Sequence, residues 1–139
     1  MIQEHFAAVR TLIVAEVPAA VQVVDSVLTS STGELVRATY VVLFGGGPDS
    51  LDDDRLTAPQ VADSDAEYGY TARCVSVTAD GARTLAGRVF MAVGNVPAVT
   101  GRKCGGLGFE GSTLVEPDHK ASPPLFFTDI ELSLTSSRA

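Results

Sequence analysis

The sequence predicts a single α+β domain: a mostly antiparallel or mixed β-sheet, two helices packed against it, and a long acidic loop between strands. Three observations predict it. Apolar residues recur at helical spacing in two separate stretches, β-branched runs fill the chain between them, and apolar and polar residues alternate near residue 130. All of this lies within 139 residues, one domain's worth of chain.

The elements follow in order. Ile2, Phe6, Val9 and Ile13 recur at i, i+4, i+7 and i+11, an amphipathic helix that must end before Pro18. Val21 to Thr29 is β-branched, Ser30 to Gly33 reads as a turn, and Leu35 to Phe44 follows as a strand apolar on both faces at its end. Two such runs around a short turn predict a hairpin whose second strand is central. Tyr68 to Val77 predicts a third strand. Next, Ala82, Leu85, Ala86, Val89, Phe90 and Val93 share one helical stripe, with Arg83, Thr84, Gly87 and Arg88 on the other face. Thr78 or Asp80 can cap that helix, and Gly94-Asn95 and Pro97 end it. Thr100 to Gly111 reads as a glycine-rich turn with short strands on either side. Phe126, Thr128, Ile130, Leu132 and Leu134 then alternate with polar neighbours, a strand with one buried face.

Charge is the least even property of the chain. Ten basic and seventeen acidic residues give −7, with a pI near 4.6, which argues against a protein that coats DNA. Between Gly45 and Glu67 stand Asp49, Asp52, Asp53, Asp54, Asp63, Asp65 and Glu67 against Arg55 alone, so that one segment carries −6. It lacks apolar periodicity and reads as a surface excursion; loops beyond ~12–15 residues are usually functional or disordered. Hydrophobic residues make up 45% of the chain and mean hydropathy is +0.21, enough for a core. No apolar run approaches the ~20 residues of a membrane helix, so no membrane partner is expected. The first ten residues do not read as a signal peptide, and two cysteines are too few for a disulfide scaffold. A reducing cytosol is the expected site of synthesis.

Catalytic and cofactor patterns are incomplete. Gly106 to Gly111 matches G-x-G-x-x-G, with Asp129 downstream, but Ser112 to Pro117 reads as extended where a dinucleotide site needs a helix. Gly45-Gly46-Gly47 lacks the Lys-Ser/Thr of a phosphate loop. Asp52-Asp53-Asp54 lacks the alternating ligands of a calcium loop and reads as a solvated acidic face. His5 and His119 have no neighbouring ligands at metal-binding spacing and read as surface residues. Cys74 reads as a small buried hydrophobe. Cys104, beside Arg102 and Lys103, has an electropositive setting but no identifiable base to activate it. No cofactor, metal or catalytic residue is therefore expected, and the chain reads as an assembly protein.

The element order, together with Tyr40 to Phe44 (YVVLF), Tyr70 to Ala92 (YTARCVSVTADGARTLAGRVFMA), Thr100-Gly101-Arg102 and Pro123 to Leu134 (PPLFFTDIELSL), resembles the tail terminator proteins of long-tailed, siphovirus-type bacteriophages. The resemblance spans essentially the whole chain and rests on pattern and length. It implies a non-enzymatic virion protein: a ring, usually a homohexamer, that caps the tail tube, stops its polymerisation and joins the head. The implied partners are further copies of itself, the major tail tube protein and a head-completion or neck protein, with DNA passing through the channel unbound. The implied location is the head-proximal end of the tail, reached from the host cytoplasm. Six copies at −7 would place −42 on one ring, a wall along which DNA slides; net acidity also serves solubility. In a ring the acidic segment would face the channel or solvent, or pair with Arg83 and Arg88 of a neighbour. Two other readings stand beside this one: a neck or head-completion adaptor, and a small enzyme using carboxylates with a divalent cation.

Overall fold

The computed structural model describes residues 2–48, 50–51 and 65–139. Helix α1 (Ile2–Glu16) opens the chain, followed by β1 (Gln22–Val24), β2 (Tyr40–Gly45), β3 (Ser50–Leu51) and β4 (Ala66–Ser76). Helix α2 (Ala79–Phe90), β5 (Arg102–Cys104), β6 (Gly108–Ser112), β7 (Glu116–Asp118) and the 14-residue β8 (Leu125–Arg138) complete it. The strands form one mixed sheet along the path β1-β2-β4-β8-β5; β3 extends it along β4, and β6 and β7 along β8. Only β1 and β2 pair in parallel. The α+β class read from the sequence is therefore the observed one. Among the described residues, no helix is long and apolar enough to cross a membrane.

Both helices cover the same sheet face. Val9 and Ile13 of α1 and Leu85 and Val89 of α2 bury against Val41, Leu43, Tyr70, Ala72, Ile130, Leu132 and Leu134. Strand alternation puts these sheet residues on one side, as two-residue periodicity requires. A second cluster, Tyr40, Val42, Val75 and Leu125, lies on the opposite face and is roofed by Leu28, Leu35 and Ala38 from the β1–β2 connection. At its start β8 buries Leu125 against this second cluster, whereas Phe126, on the helix side, is half-buried.

Helix α2 is specified locally. Thr78 caps it, its hydroxyl accepting from the Gly81 amide at 3.0 Å, and Asp80 and Arg88 complement the two ends of its dipole. Gly94, at φ +90°, ends the turn that follows, in a conformation that costs a side-chain-bearing residue energy. Gly45 answers a different demand. A Cβ there would lie 2.4 Å from the Tyr70 ring, so only glycine lets that ring lie across β2.

Several expectations are corrected. The hairpin over Val21 to Phe44 does not form as such: β1 and β2 run parallel, and only Thr29 and Leu35 bridge antiparallel around the Ser30–Gly33 turn. The turn signal was sound, but it closes a small flap over the second cluster rather than a hairpin between sheet strands. His5 is fully buried, not a surface residue. Phe90, placed on the core stripe by its spacing, is 47% exposed because the buried stripe of α2 runs through Ala82, Leu85 and Val89 on to Ala92 and leaves Phe90 on its flank. The Gly45–Glu67 excursion is not element-free: Ser50 and Leu51 pair with Glu67 and Ala66. The extended reading after Gly111, by contrast, is the observed one: β6 continues to Ser112, and Pro117 sits inside β7, where an outer strand needs no amide donor on its free side.

Candidate assembly surface

The sheet face away from the helices is an acidic platform. Cross-strand register places Glu67, Glu110, Glu116, Asp118, Asp129 and Glu131 on it against Arg73 and Lys103, a net of −4 among the described residues. Three cross-strand contacts tie it together. Arg73 donates from Nε to Asp129 Oδ1 at 2.8 Å and from Nη2 to Oδ2 at 3.1 Å, a bidentate pair between directly opposed residues. Thr71 donates to Glu131 at 2.7 Å, and Ser133 to Glu110 at 2.7 Å. The Arg73 guanidinium also lies 4.7 Å from the Phe127 ring centroid and 5.6 Å from that of Phe44. The hydrogen bond that Arg73 donates to Asp129 raises the Arg73 pKa, so its charge is fixed at any physiological pH.

The helix side differs. At its β6 edge, Phe90 and Phe109 meet edge to face with ring centroids 5.2 Å apart, both partly open to solvent. With Ala86, Gly87 and Leu114 they line a shallow apolar groove between α2 and the sheet margin, with Arg83 at its rim. At the opposite edge, Ile2, Phe6, Leu43, Phe44 and Gly45 surround a second concavity beside Asp25. Exposed apolar side chains gathered in patches mark interaction surfaces.

Of the acidic residues singled out from the sequence, Asp49, Asp52, Asp53, Asp54 and Asp63 lie outside the described residues. Asp65 and Glu67 are exposed at the start of β4. Arg83 and Arg88 are both exposed on α2; Arg83 pairs with Asp80 of its own helix at 2.7 Å. The structure does not bring these arginines to Asp65 and Glu67, since Glu67 faces the other side of the sheet. Cys74 is buried, and burial pushes its thiol up to about 12, which suits an inert core residue. Cys104 is half-buried. Among the described residues, no group of three or more His, Cys, Asp or Glu side chains is placed to hold a metal.

No family model and no curated protein matches the chain. A solved structure does. The fold is similar to that of a chain in the virion of a native gene transfer agent (GTA) particle, with a TM-score of 0.59 and 19% identity. The similarity covers 94% of this chain and 92% of that one, so the likeness is to a whole fold and not to a shared fragment. Sequence reasoning missed the Phe90–Phe109 groove, because Phe90 has the spacing of a core residue and nothing in the sequence marks which flank of the α2 stripe the sheet leaves open.

Proposed function

We propose that this protein is a structural, non-enzymatic virion component that assembles into a ring, closes the end of a phage-type tail tube and presents the surface to which the head joins. The observation that carries the reading is the near full-length fold similarity to a chain of a GTA virion. The acidic sheet face supports it. Turned toward the axis of a sixfold ring, that face would repel phosphates, and DNA would slide past without binding. Self-association, contact with the major tail tube protein and contact with a head-completion protein are the implied interactions, and the head-proximal end of the tail is the implied location.

Light scattering behind size exclusion, with and without tube protein, tests the reading, together with electron microscopy of tube ends. The expected outcome is a ring-sized species and a cap on one end of each tube. A strict monomer that also leaves tube ends bare overturns it. Preferential capture by a portal or neck protein over tube protein would instead assign the chain to a neck adaptor.

A further inference from the structure

We propose that the groove between α2 and β6 is the receiving half of a head-to-tail interface, occupied by a second copy of this chain that presents the start of α1 and the exit end of β2. The inference rests on the ring reading and names the surfaces that would build it. A ring of identical subunits needs two different, complementary patches on each copy, joined heterologously. The two apolar patches fit that requirement by position. Phe90, Phe109 and Leu114, the last 85% exposed, stand at the β6 margin; Ile2 and Phe44 stand at the β1–β2 margin, across the full width of the sheet.

They also lie at one level. Gly45 pairs with Tyr70, Tyr70 with Leu132, and Leu132 with Phe109, so a single line across the strands joins the two margins. Copies meeting through these margins would be displaced little along the strand direction, which is what lets a ring close instead of winding into a filament. The presented margin is open on its outer side among the described residues: β1 pairs only with Tyr40 to Val42, which leaves Leu43 to Gly45 without a strand beyond them, beside Ile2.

Charge selects a second copy of the chain over an unrelated partner. Arg83, paired with Asp80 of its own helix, rims the groove, and Arg88 stands exposed in the last turn of α2 as the cation left to meet an acidic neighbour. Exposed Asp25 lines the opposite concavity, and Asp65 and Glu67 stand at the same end of the sheet. Basic rim would meet acidic rim only when unlike margins face each other. Like margins would repel.

The test places a photoreactive benzoylphenylalanine at Leu114 of the full-length protein. Irradiation is followed by peptide mapping of any covalent dimer. The expected crosslink joins Leu114 to residues 2–6 or 43–47 of a second copy, and Ile2→Asp, at an exposed position, is expected to reduce its yield on the order of tenfold. Arg88→Glu should lower the yield as well, by less. A crosslink from Leu114 into residues 83–114 of the second copy means an isologous contact and overturns the proposal. So does the absence of a dimer, or a crosslink to added tube protein alone. Tube-end microscopy of unmodified protein is read separately: bare ends with the expected crosslink would sink the capping role and leave this interface standing, whereas capped ends without it would do the reverse.

Discussion

The imidazole Nε2 of His5 lies 2.8 Å from the hydroxyl of Ser136, a residue 131 positions further along the chain. Arg102 donates from Nε to the same hydroxyl at 2.9 Å and from Nη2 to the Ser136 carbonyl at 3.0 Å. The His5 ring stacks on Tyr68 at 4.3 Å. One buried polar contact thus fastens α1, β4, β5 and β8 together.

Ser136→Ala should therefore destabilise the fold by about 1–3 kcal/mol, since it removes the hydroxyl that both the buried His5 and the half-buried Arg102 contact. His5→Ala, which also opens a hole under Tyr68, should cost about 2–4 kcal/mol. Urea denaturation measures both. An unchanged midpoint in either variant would show that the contact contributes nothing to the fold.

Arg73 and Asp129 invite a double-mutant cycle. Their bidentate geometry and the flanking rings of Phe44 and Phe127 should give a coupling of about 1 kcal/mol, at the upper end for a partly exposed pair. Arg73→Lys should lose most of it, because an ammonium cannot form the forked contact. Thermal unfolding of the four proteins checks this; additivity of the two single changes would contradict it.

The two cysteines should differ in chemistry. Ellman's reagent should modify Cys104 alone in the folded protein and both after denaturation. Burial raises the Cys74 thiol from 9.0 to about 12, so the folded state holds a proton that the unfolded chain releases. The contribution is whole below pH 9 and is lost as pH rises toward 12, at roughly 1 kcal/mol per unit. Burial also pushes the Tyr40 and Tyr68 phenols up, which steepens the same decline. Cys74→Ala should make alkaline destabilisation shallower, as read from denaturation midpoints at pH 8 and pH 10.5; an equal decline in both proteins would exclude the thiol as a cause.

Asp52, Asp53 and Asp54 provide a charge test of assembly. If the acidic segment is attracted to the basic rim of a neighbour, replacing all three by Asn should weaken self-association and flatten its salt dependence, because screening over ~8 Å then has less to screen. Light scattering at low and high salt reads the effect. Stronger association in the triple variant would mean that repulsion between the segments dominates.

What was legible in the sequence was whatever one element decides for itself. Helix α2 shows its cap, its stripe and its terminating glycine within seventeen residues, Thr78 to Gly94, and β8 shows alternation from Thr128 to Leu134. The misreadings needed information from elsewhere in the chain. Val21 to Thr29 has strand composition, yet only Gln22–Val24 joins the sheet, parallel to β2, while Thr29 bridges Leu35 in the flap. His5 continues the spacing of Val9 and Ile13 by four residues toward the N-terminus, so its burial was visible as periodicity. Its polarity outweighed that signal because Ser136 could not be foreseen as its partner. The candidate surface was half legible. Composition located the acids of the 45–67 segment, but the platform of Glu110, Glu116, Asp118, Asp129 and Glu131 exists only through the register of β6, β7 and β8.

Strand β8 has a consequence for timing. It pairs with β4 along eleven residues on one side and with β5, β6 and β7 on the other, and every one of those partners precedes it in the chain. On a ribosome, the three short strands therefore emerge with nothing to bind. The margin that carries Phe109 is created only when the residues after Leu125 are released. In the proposed ring, an unfinished or truncated chain would lack one of the two margins, and the fold itself would then screen which copies can join.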